Sequence, residues 1–275
     1  MKKKRITAAL LALGLSTITV LSQLPVFAAE ETAAEAQVQT TADPSVVITN
    51  GIDGWPQASD ISSTAAIVME TSTNTVLYSK NADQALYPAS AVKVMTCLLA
   101  LENSSLDDQV TMTATGVSGV TDGGANISSQ LDEVFTMEQC LYAIMVASAN
   151  DIALQVAEHI GGSVDAFVQT MNTRAQELGC TNTVFTNPTG LPDENQHTTA
   201  HDMALIMETA MENETFRTIA ATTSYTLPAT NVSGGERVLT NSFTMINNTS
   251  DGYYEPCIGG KEGYTEASGS CLLYT

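Results

Sequence analysis

Ser90 and Lys93 stand three residues apart in Tyr87-Pro88-Ala89-Ser90-Ala91-Val92-Lys93-Val94-Met95-Thr96. At the first turn of a helix, positions i and i+3 share a face, so this spacing puts an amine beside a hydroxyl. Serine alone is a weak nucleophile, and an amine held neutral by desolvation can take its proton. Val94 and Met95 continue an apolar run, the setting that depresses a lysine pKa. A lone S-x-x-K recurs by chance, but two further clusters follow it. Ser148-Ala149-Asn150 falls in the break between two helical patterns, where a hydroxyl and an amide can both face a cleft. Lys261-Glu262-Gly263 lies in a β-prone stretch near the end of the chain.

The elements that must position these residues can be read from periodicity and punctuation. Ala65–Met69 and Thr75–Tyr78 are short β-prone runs around Ser72-Thr73-Asn74, which predicts a hairpin. From Pro88 the apolar spacing becomes helical, through Val92, Met95, Leu98, Leu99 and Leu101, and the stretch is apolar on most sides, which places it inside the domain. Residues 104–135 are polar and contain glycine, and are expected to wind over the surface. Helices are predicted from Met137 to Ala147 behind Thr136, from Asp151 to Ile160 ending at Gly161, and from Val164 to Leu178 between Ser163 and Gly179. Another is predicted from Met203 to Met211, opened by Thr198 or Thr199. Strand character returns at Tyr225–Leu227, Val238–Thr240, Cys257–Gly259 and Cys271–Tyr274. Strands at both ends with helices between them predict an antiparallel sheet built from both ends and an inserted helical block.

In this chain order the three clusters resemble the S-x-x-K, S-x-N and K-T-G set of penicillin-binding proteins and serine β-lactamases. The surrounding blocks narrow the likeness. Tyr87–Thr96, Asn187-Pro188-Thr189-Gly190-Leu191, Thr199–Ala204 and Gly259–Thr265 resemble the D-alanyl-D-alanine carboxypeptidases, the low-molecular-weight penicillin-binding proteins, from about Thr64 to the last residue. The resemblance implies a mixed α/β (α+β) fold, an antiparallel sheet flanked by helices with a helical lobe, and Ser90 at their junction. It implies Ser90 as acylated nucleophile, Lys93 as its base and Ser148 as proton relay to the leaving amine. Asn150 would orient Lys93 or the substrate amide, and Lys261 would supply positive potential beside the substrate carboxylate. The backbone N–H groups of Ser90 and Tyr264 would form an oxyanion hole. The implied substrate is a peptidoglycan stem peptide ending in D-Ala-D-Ala, with β-lactam antibiotics as covalent inhibitors and no metal or organic cofactor.

Two features depart from the family pattern. Glu262 stands where the family has Thr, and an unscreened carboxylate there would repel a substrate carboxylate by about 4 kcal/mol at ~4 Å and an effective dielectric of about 20. Glu262 could pair with Lys261, face away as strand alternation directs, or mark a different substrate preference. The resemblance also implies at least one more strand and a C-terminal helix after Thr275, so the chain reads as a fragment of a longer protein, with any membrane anchor out of view. Three activities remain open on the residues: a D,D-carboxypeptidase, a β-lactamase or D,D-endopeptidase of the same fold, and a catalytically impaired wall-binding homologue. Ala149 in place of the Asp of S-D-N, and the lack of a deacylating Glu block, argue against a class A β-lactamase.

Composition sets the outer limits. The 275 residues carry 30 acids against 10 bases, and four of those bases cluster at Lys2, Lys3, Lys4 and Arg5. So acidic a surface repels phosphate backbones and anionic lipid, which excludes nucleic-acid binding and polybasic membrane docking. The basic start, the apolar stretch from Ile6 to about Leu21 and Val26-Phe27-Ala28 read as a secretory signal over 1–28, so the mature chain is expected outside the cytoplasm, in the cell envelope or secreted. Residues 29–60 read as a flexible leader, and 61–275 as the catalytic domain, incomplete at its C-terminus. The five cysteines show no CxxC and no regular spacing, and Cys97 and Cys140 read as buried thiols. His159, His197 and His201 fall in no metal-ligand spacing.

Overall fold

The apolar run after Pro88 becomes the axis of the molecule. In the computed structural model, which describes residues 61–120 and 124–275 and the backbone of Ile48–Thr49, Ala89–Val92 forms one 3-10 turn that leads into α1 (Lys93–Asn103). Val94, Met95, Leu98, Leu99 and Ala100 of α1 are almost wholly buried. Each large apolar side chain so buried contributes roughly 1.5–3 kcal/mol, and that gain has to outweigh the one costly residue of the helix, Lys93, which is also fully buried.

Five helices surround α1: α3 (Met137–Val146), α4 (Asn150–Gly161), α5 (Val164–Glu177), α6 (Ala200–Glu212) and α7 (Glu214–Ala220). Their starts follow the cap chemistry. Thr136 and Gln139 form a reciprocal capping box, Ser163 accepts from Ala166 N, and Thr199 rather than Thr198 caps α6 by accepting from Asp202 N. α4 ends one residue later than its glycine pattern predicts. Gly161 is still helical and packs against Phe167, leaving no room for a side chain, while Gly162 takes the left-handed turn at φ 72°.

The strands from the two ends of the chain form two separate ladders among the described residues. One has the order β1-β3-β2, with β1 (Ile48–Thr49), β2 (Ala66–Glu70) and β3 (Thr75–Lys80) all antiparallel. Ile48–Thr49, within the 29–60 segment read as a flexible leader, pairs with Ser79 and Tyr78. The rest of that segment and the 1–28 signal lie outside the described residues. The other end gives the hairpin of β8 (Gly260–Thr265) and β9 (Gly269–Tyr274). Cys257–Gly259, expected as strand, is only its approach: Cys257 N–H closes a turn onto Tyr254 O, Ile258 N–H and Gly259 O bond the backbone of Thr275, and the strand proper runs from Gly260.

Four elements are invisible to periodicity. β4 (Gln109–Thr111) pairs with β5 (Val134–Thr136), and the short α2 (Ala114–Gly119) follows β4, so residues 104–135 are not simply a surface loop. Each of these strands buries one residue, Val110 or Phe135, too few for a period to register. The fourth is α7, which restarts immediately after α6 on an Asn213 cap. β6 (Ser224–Leu227) and β7 (Arg237–Thr240) complete the list as a hairpin. Tyr225 of β6 stacks on Tyr142 of α3 with ring centroids 3.9 Å apart. All five cysteines are free, and burial pushes the Cys97 and Cys180 thiols up to about 12. Among the described residues no helix is long and apolar enough to cross a membrane, and no three His, Cys, Asp or Glu are grouped to hold a metal ion.

The capping box gives a direct test of the helical lobe. Thr136→Ala removes the acceptor for Gln139 N–H and should cost about 1 kcal/mol, read as a fall of roughly 2–4 °C in a thermal melt.

Candidate active site

Ser90 lies in the 3-10 turn between Pro88 and α1, and the residue before it is strained. Ala89 has φ 47°, left-handed backbone in which a Cβ is unfavourable. Lys93 Nζ lies 3.0 Å from Ser90 Oγ, and the same nitrogen donates to Thr189 O at 2.5 Å. Burial first, and the charge of Lys261 second, hold Lys93 well below the ordinary lysine value. A neutral amine one hydrogen bond from a hydroxyl is a competent base for it.

The Asn187–Leu191 block supplies the carbonyl and the wall behind it. Asn187 Oδ1 accepts from Thr189 N, Thr189 Oγ1 and Gly190 N, while its Nδ2 donates to Leu191 O, so one side chain holds the whole turn. Two successive carbonyls of that turn are then gripped by α1: Pro188 O by Thr96 Oγ1 at 2.8 Å, and Thr189 O by Lys93. Gly190 has φ 83°, and a Cβ on it would lie 1.8 Å from Ala89 O. No other residue fits against the back of the Ala89–Ser90 turn.

β8 crosses the opposite side. A Cβ on Gly263 would lie 2.5 Å from Ser90 N, so the strand backbone presses directly on the Ser90 peptide. The β8–β9 register puts Lys261 and Gly263 on one face and Glu262 and Tyr264 on the other, opposite Leu272 and Ser270. Lys261 is 1% exposed, and its Nζ donates to the backbone O of Glu262 at 2.8 Å. Burial pushes Lys261 down to about 8, with the Glu262 charge opposing the shift. Of the alternatives open for Glu262, the register gives the outward face, and no hydrogen bond or ion pair joins its carboxylate to Lys261 among the described residues. Tyr264, next in the strand after Gly263, is 69% exposed.

The third cluster sits at the bend from α3 into α4. Ser148 has φ 55°, so the chain turns sharply there, and Asn150 opens α4 with its side chain buried. Asn150 Oδ1 is buried without a donor. Among the described residues Ser148 makes no hydrogen bond to either lysine, and Lys93 bonds Thr189 rather than Asn150. The alternative in which Asn150 orients Lys93 is therefore not what this structure contains.

The sequence profile of the D-alanyl-D-alanine carboxypeptidase family matches residues 53–275. The chain belongs to that family. Carboxypeptidase DacF of Bacillus subtilis strain 168 is 34% identical over 215 residues, 76% of this chain and 52% of that protein. Carboxypeptidase DacB2 of Mycobacterium tuberculosis H37Rv is 33% identical over 74% of this chain and 66% of its own length. The chain thus spans from about half to about two thirds of these relatives. The crystal structure of the Streptomyces K15 DD-transpeptidase superposes with a TM-score of 0.74 at 28% identity, covering 80% of this chain and 86% of that one. The fold is the penicillin-binding-protein fold, and the family is one of serine D,D-peptidases that bind penicillin and work on the cell wall outside the cytoplasm.

Thr96, Asn187, Thr189 and Gly190, which enter the sequence reading only as parts of the blocks that carry the resemblance, are the residues that support Ser90 and Lys93 here. A cue was present, since Asn-Pro followed by Gly marks a turn with one residue at positive φ, but nothing local says that the turn meets α1. Gly263→Ala should push β8 off Ser90 while leaving the protein folded. We expect the rate of covalent benzylpenicillin adduct formation, followed by intact mass, to fall on the order of a hundredfold, the loss typical when one oxyanion donor is removed.

Proposed function

We propose that this protein is a serine-type D-Ala-D-Ala carboxypeptidase that removes the terminal D-alanine from peptidoglycan stem peptides. The observation that carries the reading is the buried Lys93 amine 3.0 Å from Ser90 Oγ. Lys93 would accept the Ser90 proton as Oγ attacks the carbonyl carbon of the penultimate D-alanine. The backbone N–H groups of Ser90 and Tyr264 would receive the developing oxyanion. Ser148 would relay a proton to the nitrogen of the terminal D-alanine as the C–N bond breaks. Water, deprotonated by the same base, would then hydrolyse the Ser90 ester. Lys261 would hold the substrate's terminal carboxylate, and the unpartnered Asn150 Oδ1 suits a substrate amide N–H. β-Lactams would acylate Ser90 by the same route. The 61–275 region would be the catalytic unit, and the signal over 1–28 would export it to its substrate.

Glu262 supports a second reading, in which acylation survives and turnover is weak. Its charge acts on Lys261, the group assigned to the substrate carboxylate. One experiment separates the readings: intact mass after benzylpenicillin and D-alanine release from a D-Ala-D-Ala peptide, each beside a Ser90→Ala control and a thermal melt. A Ser90-dependent adduct with release establishes the carboxypeptidase. An adduct without release establishes impaired turnover, and neither on a folded protein overturns the acyl-serine reading.

The two lysines set the pH profile. Lys93 works neutral, and because its pKa is lowered it reaches that form well below the usual lysine range. Lys261 works charged, a form lost as pH rises through about 8. Acylation by carboxylate-bearing ligands should therefore decline above about 8. In Glu262→Gln, which removes a charge that raises Lys261, the decline should move to lower pH, read from acylation rates across a buffer series.

A further inference from the structure

Asp151 follows Asn150 in the first turn of α4 and is 3% exposed. Its carboxylate accepts from Ile127 N, from Ser129 N at 3.1 Å and Ser129 Oγ at 2.7 Å, and from Ile152 N at 3.0 Å. Its neighbour Asn150 donates its backbone N–H to Ala125 O at 2.8 Å. Among the described residues, every hydrogen bond from segment 124–129 to another part of the molecule goes to Asn150 or Asp151. The segment touches the Asn150 side chain as well. A Cβ on Gly124 would lie 2.7 Å from Asn150 Nδ2 and 3.7 Å from Leu191 Cδ2.

We propose that Asp151 is a positioning residue: it latches segment 124–129 onto the start of α4, and the latched segment fixes the Asn150 amide for the incoming ligand. The consequence for acylation rests on the acyl-serine reading above; the latch itself does not. A buried carboxylate that only stabilised α4 would need its bond to Ile152 and no others. Three of its four donors instead belong to the segment that packs on Asn150, and bonds to a carboxylate are the strong class of hydrogen bond. Gly124 shows the same coupling from the other side. The atom that a Cβ there would meet first is the end of the Asn150 side chain, which can move without unfolding anything.

The test uses the full protein and three substitutions, Asp151→Asn, Ser129→Ala and Gly124→Ala, with two readouts. The first is benzylpenicillin acylation by intact mass over a concentration series, which separates the saturation constant from the limiting rate, beside thermal melts. The second is hydrogen exchange at the Asn150 amide, with the Met171 amide in α5 as an internal reference. We expect Asp151→Asn to lower the limiting acylation rate at least tenfold and to speed Asn150 exchange while Met171 is unchanged. Ser129→Ala, which removes one donor side chain, should fall between that variant and the parent. Gly124→Ala should melt near the parent and still acylate slowly. Folded variants with parental acylation and parental Asn150 exchange overturn the proposal, and so do lowered melts with unchanged rates, the signature of a merely structural acid. If Asp151→Asn does not fold, Ser129→Ala and Gly124→Ala decide. If the parent itself takes no adduct, the acyl-serine reading falls, and Asn150 exchange alone decides the latch.

Discussion

The structure turns on a lysine amine placed where a charge is expensive. Lys93 lies at the start of a largely buried apolar helix, with the Ser90 hydroxyl and the Thr189 carbonyl as hydrogen-bond partners. An ammonium in such a place must be matched by a carboxylate or give up its proton. Among the described residues no carboxylate is paired with it, and a second buried lysine adds repulsion. Everything that makes α1 a good core helix therefore also drives the Lys93 amine toward its neutral form. Packing and chemistry are one requirement here, because loosening the core around α1 would let water in and return the proton.

That requirement explains how the rest is arranged around one peptide unit. Gly190 backs onto Ala89 from one side and Gly263 onto Ser90 from the other, each at distances that admit no side chain. Squeezed between them, Ala89 stays in a left-handed conformation that costs an alanine roughly 1–2 kcal/mol. Such strain persists only where neighbours over-determine the backbone. The two glycine contacts and the Asn187 turn do so.

Much of this was legible in the chain, and the limits are instructive. Ser90 and Lys93 could be paired because their contact is local, set by one helical turn. The helices bounded by Thr136, Ser163 and Thr199 were legible for the same reason, since a cap is chemistry within four residues. Thr96 and Pro188 are 92 residues apart, and Lys93 and Thr189 are 96 apart, so no periodicity could join them. β4 and β5 escaped notice because a three-residue strand with one buried side chain has no pattern to show. The break at Ser148 was anticipated as a cleft, whereas its distance from hydrogen-bonding either lysine was not, because a bend fixes where a side chain starts and not how far it reaches.

The burial of Lys93 and Lys261 also divides the protein's electrostatic field into an outside and an inside. Six bases beyond Arg5 face 30 acids. Two of the six are enclosed at the site, and Arg174 and Arg237 are matched by Glu102, Glu177 and Glu133. An anionic peptide approaching from solvent meets repulsion first and attraction only on entry. Salt weakens the outer field over a screening length of about 10 Å at 0.1 M, while a desolvated cation is screened far less. Encounter should then quicken with ionic strength, opposite to the behaviour of enzymes whose surfaces steer their ligands inward, while the grip of the buried cation, once reached, changes little.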